Sequence, residues 1–246
     1  MKRYLAYGLI ALGLVATSAA VYTGHYLMFR DAHHIWIYLV GDVAFVPIEV
    51  LLVGIVIERL LARRERQALL QKMNMVIGTF FSEVGTPLLG DLTRALADPG
   101  AAARTLNLSA DWTPADYRRA LKALAHLPTD IDPDRINLPH LHAFLADRRD
   151  MLVRLLANPN LLEHEAFTDL LWAVFHLMEE LSARPALDDL PETDRRHLAG
   201  DAQRVYRRLV RQWLRYVRHL QVAYPYIFSI VVRTHPLQPN PSPTVT

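Results

Sequence analysis

An all-α membrane protein is the fold class that the sequence predicts, on three observations. Apolar residues concentrate in two N-terminal runs, Tyr4 to Phe29 and Ile35 to Ile57. Beyond them, apolar positions recur at three- and four-residue spacing, and no stretch shows the alternation of a half-buried strand. The expected layout is an antiparallel two-helix transmembrane hairpin over residues 1–58, with spans at about 4–29 and 35–57. A juxtamembrane stalk helix follows over 59–97, then a cytoplasmic helical bundle over 98–233 and a disordered tail over 234–246.

The first run holds His25 as its only ionisable group besides tyrosines, and the second is broken only by Asp42, Pro47 and Glu49. Each reaches the roughly 20 apolar residues that cross a bilayer core. A cleaved signal peptide is the rival reading of the first run, with Lys2 and Arg3 as a basic start and small residues from Ala16 to Ala20. Against it, the run continues nine residues past Ala20 and a second follows almost at once. Ala16, Ala20 and Gly24 place small residues on one helix face, which suits close packing against another membrane helix. Arg59, Arg63, Arg64, Arg66 and Lys72 follow the second run, and Lys2 and Arg3 precede the first. The positive-inside rule then places both termini in the cytoplasm of a bacterial inner membrane.

Past the second run, Leu69, Leu70, Met73, Val76, Ile77, Phe80, Phe81 and Val84 form a wide apolar stripe. Such a stripe needs cover, either from the domain that follows or from the same helix of a second copy. Asp98-Pro-Gly100 opens a loop to about Ser109, and Thr113-Pro114 starts a capped helix that ends near His126. Pro128 to Pro139 reads as a loop. Three helices follow, over Pro139–Ala157, Leu161–Ala183 and Glu192–Ala223, and the tail has four prolines from Pro236 to Pro243.

Four stretches carry a resemblance: Gly41 to Val53, Asn74 to Gly85, Asn158 to Trp172 and Tyr224 to Thr234. Together they resemble a family of uncharacterised bacterial two-span membrane proteins with a cytoplasmic helical domain. The resemblance supports membrane placement and implies no activity, ligand or catalytic residue.

Three groups of residues carry chemistry. Asp42 and Glu49 are seven residues apart, about 700° of helix, so both carboxylates share one face roughly 10 Å apart along the axis. Pro47 between them frees a carbonyl. Intramembrane carboxylates mark ion paths; the alternative is that they hold the hairpin together through Thr17, Ser18 or Thr23. On the acidic helix, Glu165, Asp169, Trp172, His176, Glu179 and Glu180 recur along one face; a solvated or salt-bridged surface is the reading, and His176-x-x-Glu179 a weak metal pair. On the last helix, Arg204, Arg207, Arg208, Arg211, Arg215 and Arg218 form a basic stripe, suited to anionic lipid headgroups, to a protein partner or to pairing with the acidic helix.

The chain has no cysteine, which excludes disulfides, thiolate metal sites and cysteine nucleophiles. A net charge of +2, without a base-stacking or groove-entry feature, excludes nucleic acid as a partner. No nucleophile elbow or phosphate loop is present, so no enzymatic activity and no cofactor are expected. Membrane lipid, further copies of the chain and a cytoplasmic protein are the expected partners. The expected function is a membrane-anchored helical scaffold or regulatory module; the alternative is an oligomeric cation channel whose pore Asp42 and Glu49 line.

Overall fold

The structure is a computed structural model, and it describes residues 2–106, 108–159, 161, 164–238 and 240–244, excepting the side chains of 2–7 and 66–72. The described residues are all-helical, with a single isolated antiparallel bridge between Leu96 and Ile131. In chain order the helices are α1 (Lys2–Phe29), α2 (Ala32–Phe80), α3 (Thr86–Arg94), α4 (Pro99–Thr105) and α5 (Pro114–Ala123). Then come α6 (Leu138–Asp147), α7 (Arg149–Leu156), α8 (Glu165–Ser182), α9 (Glu192–Ala223) and α10 (Pro225–Thr234). The chain divides into two compact units after Arg66, rather than at the boundaries near 58 and 97 that the sequence predicts.

In the first unit, α1 and the beginning of α2 are joined through Arg30 and Asp31, with Arg30 in the left-handed region at φ 51°. His25 and His34 stack across this connection, ring centroids 6.1 Å apart. From Gly8 to Glu65 every residue is exposed except His25, Ile35 and Leu39, which are half-buried. The small-residue face of α1 meets nothing within the unit: no atom lies within 4 Å of where a Cβ on Gly24 would sit.

The second unit has a continuous core built around α9, against which α3, α5, α8 and α10 pack, with α6 and α7 laid on α8. The sequence explains the centre: Leu198, Ala202, Val205, Leu209, Trp213, Val217 and Leu220 recur on one side of α9, and all are buried. The stripe expected of a stalk is part of this core. Met73, Ile77, Phe80, Phe81 and Val84 are buried, Phe80 meets Phe167 of α8 edge-on at 5.3 Å, and Phe81 stacks on Tyr216 of α9 at 4.9 Å. From Met73 to Val84 cover comes from the chain itself; the side chains of Leu69 and Leu70, also expected in the stripe, lie outside the described residues. A π-helical turn, Phe81–Gly85, links α2 to α3. Gly85 is needed there, since a methyl at its Cβ position would lie 2.5 Å from Phe81 Cδ1 and 2.9 Å from Phe80 Cε1.

Several boundaries differ from expectation for local reasons. Asp98 accepts a hydrogen bond from the Ala101 amide at 3.1 Å with Pro99 next to it, which starts α4 where a loop is expected. The helix expected over Pro139–Ala157 is two, α6 and α7, broken at Arg148 (φ −103°, ψ 7°). Its guanidinium donates to the Phe144 carbonyl at 3.1 Å and to Glu83 O at 2.8 Å. Helix α8 begins at Glu165, capped by His164 Nδ1, which accepts from the Phe167 amide at 3.2 Å.

The tail expected to be disordered is instead folded back in its described part. His235 and Leu237 are each 2% exposed, the His235 ring lies 5.3 Å from Trp213, and Pro236 covers Gly90. The Ser242 amide donates to Arg233 O at 3.0 Å and Arg233 Nη1 donates to Pro243 O at 2.6 Å. At Pro236 the chain lies over Gly90, and Leu237 supplies apolar area that holds it to the core.

Candidate functional site

Asp42, Pro47 and Glu49 lie on the exposed surface of α2, and the helix runs through Pro47 without interruption. Neither carboxylate has a hydrogen-bond or ion-pair partner among the described residues. Of the hydroxyls expected to hold them, two are engaged on their own helix, Thr17 donating to Gly13 O at 2.9 Å and Thr23 to Ala19 O at 2.7 Å.

The arginines of the basic stripe lie on α9. Arg204, Arg207, Arg211, Arg215 and Arg218 are exposed and Arg208 is half-buried, all on the side of α9 that turns away from its core residues. Arg204 pairs with Asp201 of its own helix at 2.7 Å, and Arg207 Nε donates to Thr129 Oγ1 at 2.6 Å. Among the described residues Arg208, Arg211, Arg215 and Arg218 have no carboxylate partner, so the expected pairing with α8 does not occur there.

The acidic face of α8 is exposed at Glu165, Asp169, Trp172, His176 and Glu179. Glu179 pairs with Arg149 of α7 at 3.6 Å, and Glu180 Oε2 accepts from Arg184 Nη1 at 3.0 Å. The Arg184 hydrogen bond holds the Glu180 carboxyl below the usual carboxylate range, against an opposing effect of burial. Arg184 also reaches Asp194 of α9 at 2.6 Å, closing the corner between the two helices.

One turn further in, the structure assembles four groups that no single helix shows. His176 Nε2 lies 3.4 Å from Asp201 Oδ2 and 4.0 Å from Glu180 Oε1. His197 Nε2 lies 3.5 Å from Asp201 Oδ2 and 3.6 Å from Glu180 Oε2. Asp201 has only 4% of its side chain exposed, and its Oδ2 has no hydrogen-bond donor. His197 and Asp201 escape a reading of α8 alone. The signal that finds them is the repeat of one pattern on consecutive helices, His176-x-x-x-Glu180 and His197-x-x-x-Asp201.

Residues 69–233 match the family model described as "Uncharacterized protein MJ1433, C-terminal helical domain", and residues 2–61 match "MJ1433, N-terminal helical domain". The chain belongs to the MJ1433 family. It is 43% identical over 235 residues to "Uncharacterized protein MJ1433" of Methanocaldococcus jannaschii, covering 96% of this chain and 94% of that protein. That relative is archaeal, and nothing in the comparison restricts the family to bacteria. No solved structure matches the chain. The two family models meet between residues 61 and 69, where the structure also divides.

Proposed function

We propose that this protein is an integral membrane protein in which α1 and the first part of α2 form an antiparallel pair of spans, and in which the helical unit is a binding module on the cytoplasmic side. The observation that carries this reading is exposure: the apolar stretches Gly8–Phe29 and Ala32–Glu65 bury none of their side chains within the chain. A core helix of a soluble protein hides such residues, whereas lipid covers them without any protein partner. Arg59, Arg63 and Arg64, exposed on the C-terminal side of Ile57, support this orientation. The unpaired arginine face of α9 suits anionic headgroups, and the unit acts by binding rather than by catalysis.

The absence of cysteine makes topology directly measurable. Membranes carrying the chain are expected to retain it through alkaline carbonate extraction. In intact cells a His33→Cys variant should react with an impermeant maleimide, and a Gly200→Cys variant only after permeabilisation. Recovery of the chain in the carbonate supernatant would remove the membrane reading.

A second reading, an oligomeric cation channel, is favoured by the unpartnered Asp42 and Glu49. It requires several copies, so that carboxylates without a partner in one chain face each other or water around an axis. Cation flux into liposomes should then fall in Asp42→Asn and Glu49→Gln. Unchanged flux when both are neutralised excludes this reading, as does a protein that stays monomeric in mild detergent at every concentration.

A further inference from the structure

We propose that His176, Glu180, His197 and Asp201 form a site for a divalent transition metal of zinc type, clipping α8 to α9. The antiparallel pairing of the two helices sets each histidine against the carboxylate of the other, 176 facing 201 and 197 facing 180. Oxygen or nitrogen atoms of Glu180, His197 and Asp201 all lie within 4.8 Å of one another. His176 stands beside this group, its Nε2 3.4 Å from Asp201 Oδ2 and 4.0 Å from Glu180 Oε1.

Three features separate this cluster from an ordinary surface ion-pair lattice. Its nitrogen to oxygen separations, 3.4 to 4.0 Å, are too long for hydrogen bonds. They approach the ligand-to-ligand edge of a tetrahedron with bonds near 2.1 Å, which is about 3.4 Å. Next, Asp201 Oδ2 is buried without a donor, an arrangement that is costly unless something positive occupies the space before it, and both imidazole Nε2 atoms converge on that oxygen. Last, each carboxylate is oriented by an arginine: Arg204 holds Asp201 Oδ1, the oxygen turned away from the histidines, at 2.7 Å, and Arg184 holds Glu180 Oε2, the oxygen that also faces His197, at 3.0 Å. Outer partners of this kind aim metal-binding carboxylates.

The donor set decides the class of ion. Two imidazoles and two carboxylates suit zinc and its first-row neighbours, whereas calcium and magnesium favour six or more oxygens. Glu180, His197 and Asp201 supply three donors, and movement of the exposed His176 ring from beside Asp201 adds the fourth and closes the site, so the ion acts as a structural clip rather than as a Lewis acid. His176 and His197 are 47% and 54% exposed, which lets the ion enter from solvent.

The test uses the full chain in detergent, stripped with a chelator and titrated with Co2+ and then Zn2+. One equivalent of Co2+ should bind with the intense visible absorption of a tetrahedral site, and Zn2+ should bleach it. His197→Gln and Asp201→Asn are each expected to weaken binding more than tenfold, while Glu179→Gln, a carboxylate outside the cluster on the same helix, should leave it unchanged. Because Asp201 is buried, a double His176→Gln/His197→Gln variant, altered only at exposed rings, provides the control that keeps its fold. Zinc should raise the unfolding temperature of the wild type and not of that variant. Equal zinc affinity in the wild type and the double variant would overturn the proposal and leave the cluster as ion pairs alone.

Discussion

The two units of this chain use the same apolar residue types to opposite ends. In residues 73–238 most leucine, valine and phenylalanine side chains converge on α9 and are withdrawn from the surface; in residues 8–65 they stand exposed around α1 and α2. Valine at 205 is fully buried and valine at 50 is 65% exposed. What distinguishes them is periodicity. Polar residues interrupt α9 every turn and define an inside, whereas the apolar run of α2 offers no inside, only a length. The helical unit carries its own cover, and the apolar unit needs cover from elsewhere.

The contrast breaks most visibly in the core. Phe80→Ala should destabilise the helical unit by about 3 to 5 kcal/mol, because the ring fills space against Phe81 and Phe167. Val50→Ala should leave the same unfolding transition in place, since it removes no contact within that unit; near-ultraviolet circular dichroism in detergent reads both. Val50→Arg tests the other half of the comparison. A central arginine costs about 3 kcal/mol on insertion, on the order of a hundredfold in partition, so the carbonate-resistant fraction should drop sharply.

A pH effect is expected in the helical unit. Burial pushes His235 down to about 4 from the ordinary histidine value. As pH falls below about 6.5 the unfolded chain takes up the proton first, so stability is full above that value and is lost towards pH 4. The total is about 3 kcal/mol, and His235→Phe, which keeps a ring against Trp213, should flatten the profile in denaturant titrations at stepped pH. The smallest expected effect is local. Thr113 caps α5 in a reciprocal box with Asp116, and Thr113→Ala should cost about 1 kcal/mol in the same titrations.

Features written in a few adjacent residues were legible in the sequence. The cap at Thr113-Pro114 and the full extent of α9 from Glu192 to Ala223 are found where spacing places them. The basic face of α9 follows from the same periodicity. Features that need a second element were not legible. Whether the stripe after Gln71 is covered by the domain or by another copy depends on Phe167 and Tyr216, which lie far along the chain. His176 looks like half of a poor motif until packing brings in His197 and Asp201. Proline content argues for an extended tail, and the short-range signal misleads because Leu237, a single apolar residue, finds a place in the core.

That returning segment sets an order of events during synthesis. Trp213 and residues 235–237 are so close in sequence that they leave the exit tunnel nearly together, so the indole and its cover reach the folding helices at the same stage. Domains tend to fold from the N-terminal side as they emerge. Here the core around Trp213 cannot close until residues 235–237 emerge, which makes its closure a late step.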